Sequence, residues 1–294
     1  MPAQTLSEIR ARLAAAGLSP LHRFGQNFLI DLNLLRRVAA AGEPGPADVI
    51  LEVGPGTGSL TSLLLDAGAR VVAVEIDRGL QALLLDEFRA QPRFHLIAGD
   101  ALSTKHELNA ELLASLRAQR PAAGGKTKLI ANLPYQIATP LLIELMLLDD
   151  PWFARLVCTI QLEVGQRLAA RAGSDAYGPI SVIAQTLGRV RLLGTLPPAA
   201  FWPRPGVDSV LVEIVPLAVE QRPVANVAAF AHWVQRVFQQ RRKTLRRILS
   251  KWEEFDADAV LAAAGISSAA RPEVLAPAEW LTLYRQATER AADR

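Results

Sequence analysis

The sequence predicts an α/β fold in two parts, an open, mostly parallel sheet with intervening helices followed by a small all-helical domain. Three observations carry this prediction. Short apolar runs at residues 49–53, 70–76, 94–100, 129–131 and 155–161 alternate with stretches of helical periodicity. The first run ends in a glycine turn, Gly54-Pro55-Gly56-Thr57-Gly58, that opens a helix. Beyond Pro216 the strand-like runs cease and apolar residues recur at helical spacing. The expected domains are therefore residues 1–217 and 218–294.

Composition narrows the function. The 294 residues are 50% hydrophobic and 21% charged, which suits a soluble globular chain with a sizeable core. A single cysteine, Cys158, excludes a disulfide framework and a cysteine-based zinc site. The four histidines have no ligand spacing, so no metal is expected. Glu8, Arg10 and Arg12 interrupt the N-terminal segment, and no apolar run is long enough to span a bilayer. A cytoplasmic protein with no membrane partner is expected. The net charge of +3 says little about nucleic acid until its distribution is considered.

Taken in order, residues 1–20 read as an amphipathic helix with Leu6, Ile9 and Leu13 on one face, ended at Gly17. Gly25, Gln26 and Asn27 break the apolar pattern and form a loop, which these residues alone present as a connector. Asp31 is placed to cap the helix that follows. The strand at 49–53, the glycine turn and the next helix make a nucleotide-type binding loop, since glycines let backbone approach a ligand where a Cβ would clash. Glu75 ends the second strand about twenty residues on, the position from which a carboxylate accepts hydrogen bonds from ribose hydroxyls. Glu52 stands just before the turn. A fixed negative charge there disfavours a pyrophosphate and favours a cationic ligand, so S-adenosylmethionine suits the site better than a dinucleotide. Asp100 ends the third strand and can accept from an adenine amino group or cap the next helix.

The fourth strand runs into Asn132-Leu133-Pro134-Tyr135. The carboxamide can accept from an exocyclic amine, the proline fixes a bend and the tyrosine offers a stacking face. Glu75, Asp100 and Asn132 thus converge on the carboxyl edge of one sheet. Further on, residues 189–196 and 209–215 are read as a hairpin around a proline-rich loop in which Phe201 can cover a pocket. A single helix is expected over residues 227–252, bearing Arg236, Arg241, Arg242, Lys243, Arg246, Arg247 and Lys251, a cationic face suited to phosphate.

Together Gly25-Gln26-Asn27-Phe28-Leu29, the glycine turn, Asn132-Leu133-Pro134-Tyr135, Ala176-Tyr177-Gly178, the Phe-x-Pro-x-Pro-x-Val-x-Ser stretch at 201–209 and Gln240-Arg241-Arg242-Lys243-Thr244 resemble the ribosomal RNA adenine dimethyltransferase family. The likeness covers nearly the whole chain and is nearest the KsgA/RsmA branch. That branch dimethylates two adjacent adenines in a hairpin near the 3′ end of small-subunit rRNA. The resemblance implies a Rossmann-like methyltransferase sheet and cofactor contacts at Asn27, Leu29, Gly54, Glu75, Asp100 and Asn132. The Asn132–Tyr135 run is taken as catalytic, with Tyr135 and Phe201 expected around the base and Arg241, Arg242 and Lys243 expected on RNA. A monomer acting on small-subunit rRNA or a pre-30S particle is expected. Gln136 and Ala138 depart from the family's usual Asn and Ser or Thr. Two other readings stand beside this one: a methyltransferase for large-subunit rRNA, and a ribosome-assembly or transcription factor that keeps the fold without catalysis.

Overall fold

A computed structural model describes residues 4–104, 107–150 and 152–292. The first three residues of the expected N-terminal helix lie outside that set. Among the described residues no helix is long and apolar enough to cross a membrane.

The chain divides into two compact units. One runs to Gly165 and resumes over Arg191–Pro216, and the other takes Gln166–Val190 and the chain from Leu217 onward. The boundary expected after residue 217 therefore omits an excursion: residues 166–190 belong with the C-terminal helices.

A seven-stranded sheet organises the first unit, apart from residues 188–190 at the start of one edge strand, which are counted with the second. Its strands are Val49–Val53 (β1), Arg70–Glu75 (β2), Phe94–Ala98 (β3), Thr127–Asn132 (β4), Phe153–Gln161 (β5), Gly188–Leu196 (β6) and Ser209–Pro216 (β7), in the spatial order β3-β2-β1-β4-β5-β7-β6. Strands β1 to β5 pair in parallel, and β7 runs antiparallel to β5 with Ser209 opposite Gln161. The expected hairpin survives as the neighbouring pair β7 and β6. All five residues of β1 are buried, because a central parallel strand is covered on both faces. Ile50, Val71, Ala73, Ile130 and Val157 from the sheet pack with Leu35, Val38, Leu60, Leu64 and Leu84 from the helices.

The helices of this unit are Leu6–Ala15 (α1), Leu32–Ala41 (α2), Ser59–Asp66 (α3), Arg78–Glu87 (α4), Ala110–Ala118 (α5) and Ala138–Leu147 (α6), with Leu162–Leu168 (α7) at the passage between units. Their starts carry local signals. Thr5 and Glu8 form a capping box on α1, Asp31 caps α2 by accepting from Asn33 and Leu34, and Asp77 does the same for α4. Strand order reverses between β2-β1 and β1-β4, so a crevice forms at the carboxyl ends of β1, β2 and β4.

The second unit holds Pro179–Leu187 (α8), Val227–Phe238 (α9), Leu245–Leu249 (α10), Ala257–Ala263 (α11) and Pro277–Ala292 (α12). Helix α8 packs on α9 and α12 through an almost entirely buried face, which is why the excursion at 166–190 belongs here. The single helix expected over 227–252 is broken. The chain turns through residues 239–243, where Arg241 N–H donates to Phe238 O and Lys243 N–H to Gln240 O. Thr244 then caps α10 by accepting from Arg247 N–H, a contact worth ~1 kcal/mol. The N–H of Leu245 is taken by Ala270 O at 2.8 Å. Arg241, Arg242 and Lys243 consequently project from an exposed turn. The cations are also not one uniform face: Arg236 lies 3.9 Å from the Trp252 ring centroid and Arg246 pairs with Asp258.

Trp280, Phe230, Val234 and Val237 are fully buried here, and Trp233 meets Trp280 edge-on at 5.8 Å. Tyr177, also fully buried, donates to Leu275 O at 2.8 Å. The Ala176-Tyr177-Gly178 motif therefore stabilises this unit. Tyr177→Phe leaves the Leu275 carbonyl without its donor and is expected to destabilise the protein by ~1–2 kcal/mol. A thermal melt superimposable on wild type would contradict that.

Candidate active site

The glycine turn after β1 is gripped from two sides. Gly54 and Gly56 have φ of 70° and 61°, a region that glycine enters without strain. A Cβ on Gly56 would lie 2.9 Å from the Phe28 ring, and one on Gly54 would lie 3.2 Å from Pro134. The turn is thus wedged between the Gly25–Leu29 loop and the Asn132–Tyr135 run, and side chains at either glycine would force them apart.

Two buried carboxylates flank the turn. Glu75, at the end of β2, accepts from Asp77 N–H at 2.9 Å and Gly56 N–H at 3.4 Å, and burial pushes its pKa up to about 7. Glu52, in β1, accepts from the Thr61 hydroxyl at 2.7 Å. Burial raises it to about 8, with a smaller upward push from Glu75. The fixed negative charge expected at Glu52 needs correction. Desolvation, with the smaller push from Glu75, favours the protonated form of this carboxyl, and a cation bound nearby would pull the proton off. Asp100, just past β3, accepts from Leu102 N–H at 3.0 Å.

Asn132 ends β4 and is held at both ends of its carboxamide. Its Nδ2 donates to Asn27 O at 2.8 Å, and its Oδ1 meets the Thr159 hydroxyl. Tyr135 joins its hydroxyl to Ser209 Oγ at 2.6 Å, and burial raises its pKa. The loop carrying Asn27 is braced by Gln26, which donates to Asp77 Oδ2 at 2.9 Å and accepts from Leu21 N–H at 2.7 Å. A segment that reads as a connector is therefore tied to the acidic end of β2.

One cavity is lined by Asn27, Leu29, Glu52, Gly54, Gly56, Glu75, Ile76, Asp100 and the whole Asn132–Tyr135 run. Every cofactor-contact and catalytic residue expected from sequence is brought to it. Phe201 is not: it is 2% exposed and packed in the core, because the Phe201–Trp202 pair forms a short ladder with Phe28–Leu29 that sets Phe201 opposite Leu29. Arg241, Arg242 and Lys243 lie in the second unit and do not line the cavity. Gln136 lines the cavity mouth, whereas Ala138 is buried at the start of α6. Sequence reasoning missed Ile9 of α1 as a cavity wall, and missed Thr159 and Ser209 as supports of Asn132 and Tyr135. For Thr159 the available signal was a lone hydroxyl in an apolar strand.

The cavity fits a nucleoside. A buried carboxylate at a strand end suits vicinal hydroxyls, left-handed glycines leave backbone accessible, and Ile9, Ile76 and Leu80 supply apolar walls. Among the described residues no group of three or more His, Cys, Asp or Glu is placed to hold a metal ion.

The family model described as ribosomal RNA adenine dimethylase matches residues 20–289. The chain belongs to that family. A relative from Phenylobacterium zucineum, named ribosomal RNA small subunit methyltransferase A, is 40% identical over 284 residues, covering 96% of this chain and 93% of its own. One of the same name from Streptomyces griseus is 41% identical over 293 residues, covering 96% and 94%. The solved dimethyladenosine transferase of Plasmodium falciparum superposes with a TM-score of 0.71 at 22% identity, over 88% of this chain and 96% of that one. The 23S rRNA methyltransferase ErmE gives 0.63 at 21%, over 89% and 99%. At those identities the two structures speak to the fold, which is the methyltransferase α/β sheet with C-terminal helices.

The raised Glu52 has a consequence for stability. Its folded pKa of about 8 exceeds the ordinary 4.5, so the folded state holds a proton that the unfolded chain releases. That stabilisation is complete below pH ~4.5 and is lost as pH rises through about 8. Glu52→Gln keeps an acceptor for Thr61 and cannot titrate, while Glu75 titrates in both proteins. The melting temperature of wild type should fall more steeply between pH 5.5 and 8.5 than that of the variant, to roughly the extent one buried group allows. Parallel melting profiles would show that Glu52 is ionised throughout.

Proposed function

We propose that the protein transfers methyl groups from S-adenosylmethionine to the N6 amino groups of two adjacent adenines in a hairpin near the 3′ end of small-subunit rRNA. The observation that carries this reading is the meeting of Asn132-Leu133-Pro134-Tyr135 with the glycine turn and Glu75 around one cavity. Family membership and the names of the relatives support the choice of rRNA adenine and of the small subunit.

S-adenosylmethionine, when bound, supplies an electrophilic sulfonium methyl. Glu75 would hold its ribose hydroxyls, Asp100 its adenine amino group, and the glycine turn and Asn27 the remaining polar atoms. Glu52 would answer its positive charge by losing a proton.

The N6 lone pair of adenine is delocalised into the ring, so the free amine is a weak nucleophile. Asn132 Oδ1 and the Leu133 carbonyl would accept its hydrogens, favouring pyramidal nitrogen and aiming the lone pair. Tyr135, anchored through Ser209, would stack on a base that has left its helix. No strong base is required, because the methylated ammonium is itself acidic. Most of the acceleration comes from positioning. The exposed turn bearing Arg241, Arg242 and Lys243 would meet RNA phosphates. The rRNA of a pre-30S particle in the cytoplasm is the substrate in this reading.

Labelled methyl transfer to small and large subunits lacking the modification tests the substrate. Label in two adjacent adenines of small-subunit rRNA is expected, and label confined to the large subunit would overturn the reading. Asn132→Ala should lower turnover by roughly a hundredfold or more and change cofactor affinity far less. Unaltered dimethylation by that variant would remove Asn132 from the chemistry. Charge reversal at Arg242 and Lys243 should weaken RNA binding and flatten its dependence on salt, since fewer counterions are released. An unchanged slope of affinity against salt would return that turn to the solvated surface.

A further inference from the structure

Thr159 stands in β5 between Cys158 and Ile160, and all three are fully buried. A hydroxyl sealed in an apolar strand needs a partner. It finds one across the ladder: Thr159 is the register partner of Asn132, and its hydroxyl meets Asn132 Oδ1. Its backbone carbonyl also accepts the N–H of Leu133 at 3.2 Å. One residue thus holds the side chain of Asn132 and the backbone of Leu133, the two groups assigned to the adenine amine.

Chemistry fixes the polarity of this arrangement. The Asn27 carbonyl can only accept, so the amino end of the Asn132 carboxamide must face it. The amide oxygen then faces Thr159, and a hydroxyl meeting an amide oxygen must donate. An amide oxygen has two lone pairs, so one remains for a substrate hydrogen. With the carboxamide turned over, an NH2 group would stand where the amine needs an acceptor. We propose that Thr159 is a positioning residue for methyl transfer, one that pins the carboxamide oxygen of Asn132, whose orientation the Asn27 carbonyl sets, and with it the acceptor that orients the target nitrogen. It does not line the cavity and would act through Asn132 and Leu133.

This inference rests on the role of Asn132 given above, and the test separates the two. Thr159→Val keeps the shape of the side chain and removes the donor, whereas Thr159→Ser keeps the donor and removes a methyl. Turnover on unmethylated small subunits, KM for the subunit, the dissociation constant for S-adenosylmethionine and the melting temperature are measured for both, with Asn132→Ala alongside. Thr159→Val should lose roughly tenfold or more in kcat, with KM and cofactor affinity within about twofold of wild type, and Thr159→Ser should stay within about threefold. Thr159→Ala, which introduces no methyl beside the amide oxygen, carries the same expectation as valine if the valine variant melts below the assay temperature. Wild-type turnover in Thr159→Val, or a serine variant that falls as far as valine, overturns the proposal. An inactive Asn132→Ala beside a fully active Thr159→Val sinks only the inference about Thr159. A fully active Asn132→Ala sinks the reading of the site itself.

Discussion

The carboxamide of Asn132 is the joint on which the site depends. Its two ends hold Asn27, 105 residues earlier, and Thr159, 27 residues later. Three segments that have no local reason to meet are thereby fixed at the carboxyl edge of the sheet. The glycine turn lies against two of them, Phe28 on one side and Pro134 on the other. A change in any of these contacts is transmitted to the rest, because each occupies space that the others leave. The site is therefore a packing solution as well as a set of polar groups. The parallel strands are what make it possible, since they end their side chains along one rim.

Burial gives the cavity its electrostatic character. Glu52 and Glu75 are 1% and 4% exposed, and both carboxyls are raised well above the ordinary range. A pocket of this kind resists holding charge until a cation arrives to balance it. That couples occupancy by a positively charged ligand to proton release from the protein. A pyrophosphate would bring no such compensation, because its negative charge opposes ionisation of the same two carboxyls.

Much of this was legible in the sequence, and the reasons are physical. Parallel strands covered on both faces read as unbroken apolar runs, which located β1, β2, β4 and β5. Asp31 named its own helix by being a good cap. The missed features share another cause, in that each is set by partners distant in sequence. The apolar positions of α9 resume in helical register at Leu245, so the turn between, set by the Thr244 cap and the Ala270 carbonyl, was not read from spacing. Residues 166–190 read as part of the sheet unit because they lie between its strands, but α8 buries its apolar face against α9 and α12. Phe201 looked like a pocket cover in a proline-rich loop, until pairing with Leu29 turned it inward. Thr159 showed only as one hydroxyl among aliphatic neighbours, and its importance comes from the register that sets it beside Asn132.

In the proposed reaction one rim of the sheet holds the methyl donor and the target amine together, with Asn132 between them. A crystal structure with S-adenosylhomocysteine bound tests it most directly. The expected complex has the ribose on the Glu75 carboxylate, the adenine at Asp100, and Asn132 still joined to Asn27 and Thr159 with its free edge facing the sulfur. A ligand bound elsewhere, or an Asn132 side chain turned away from both partners, would contradict it.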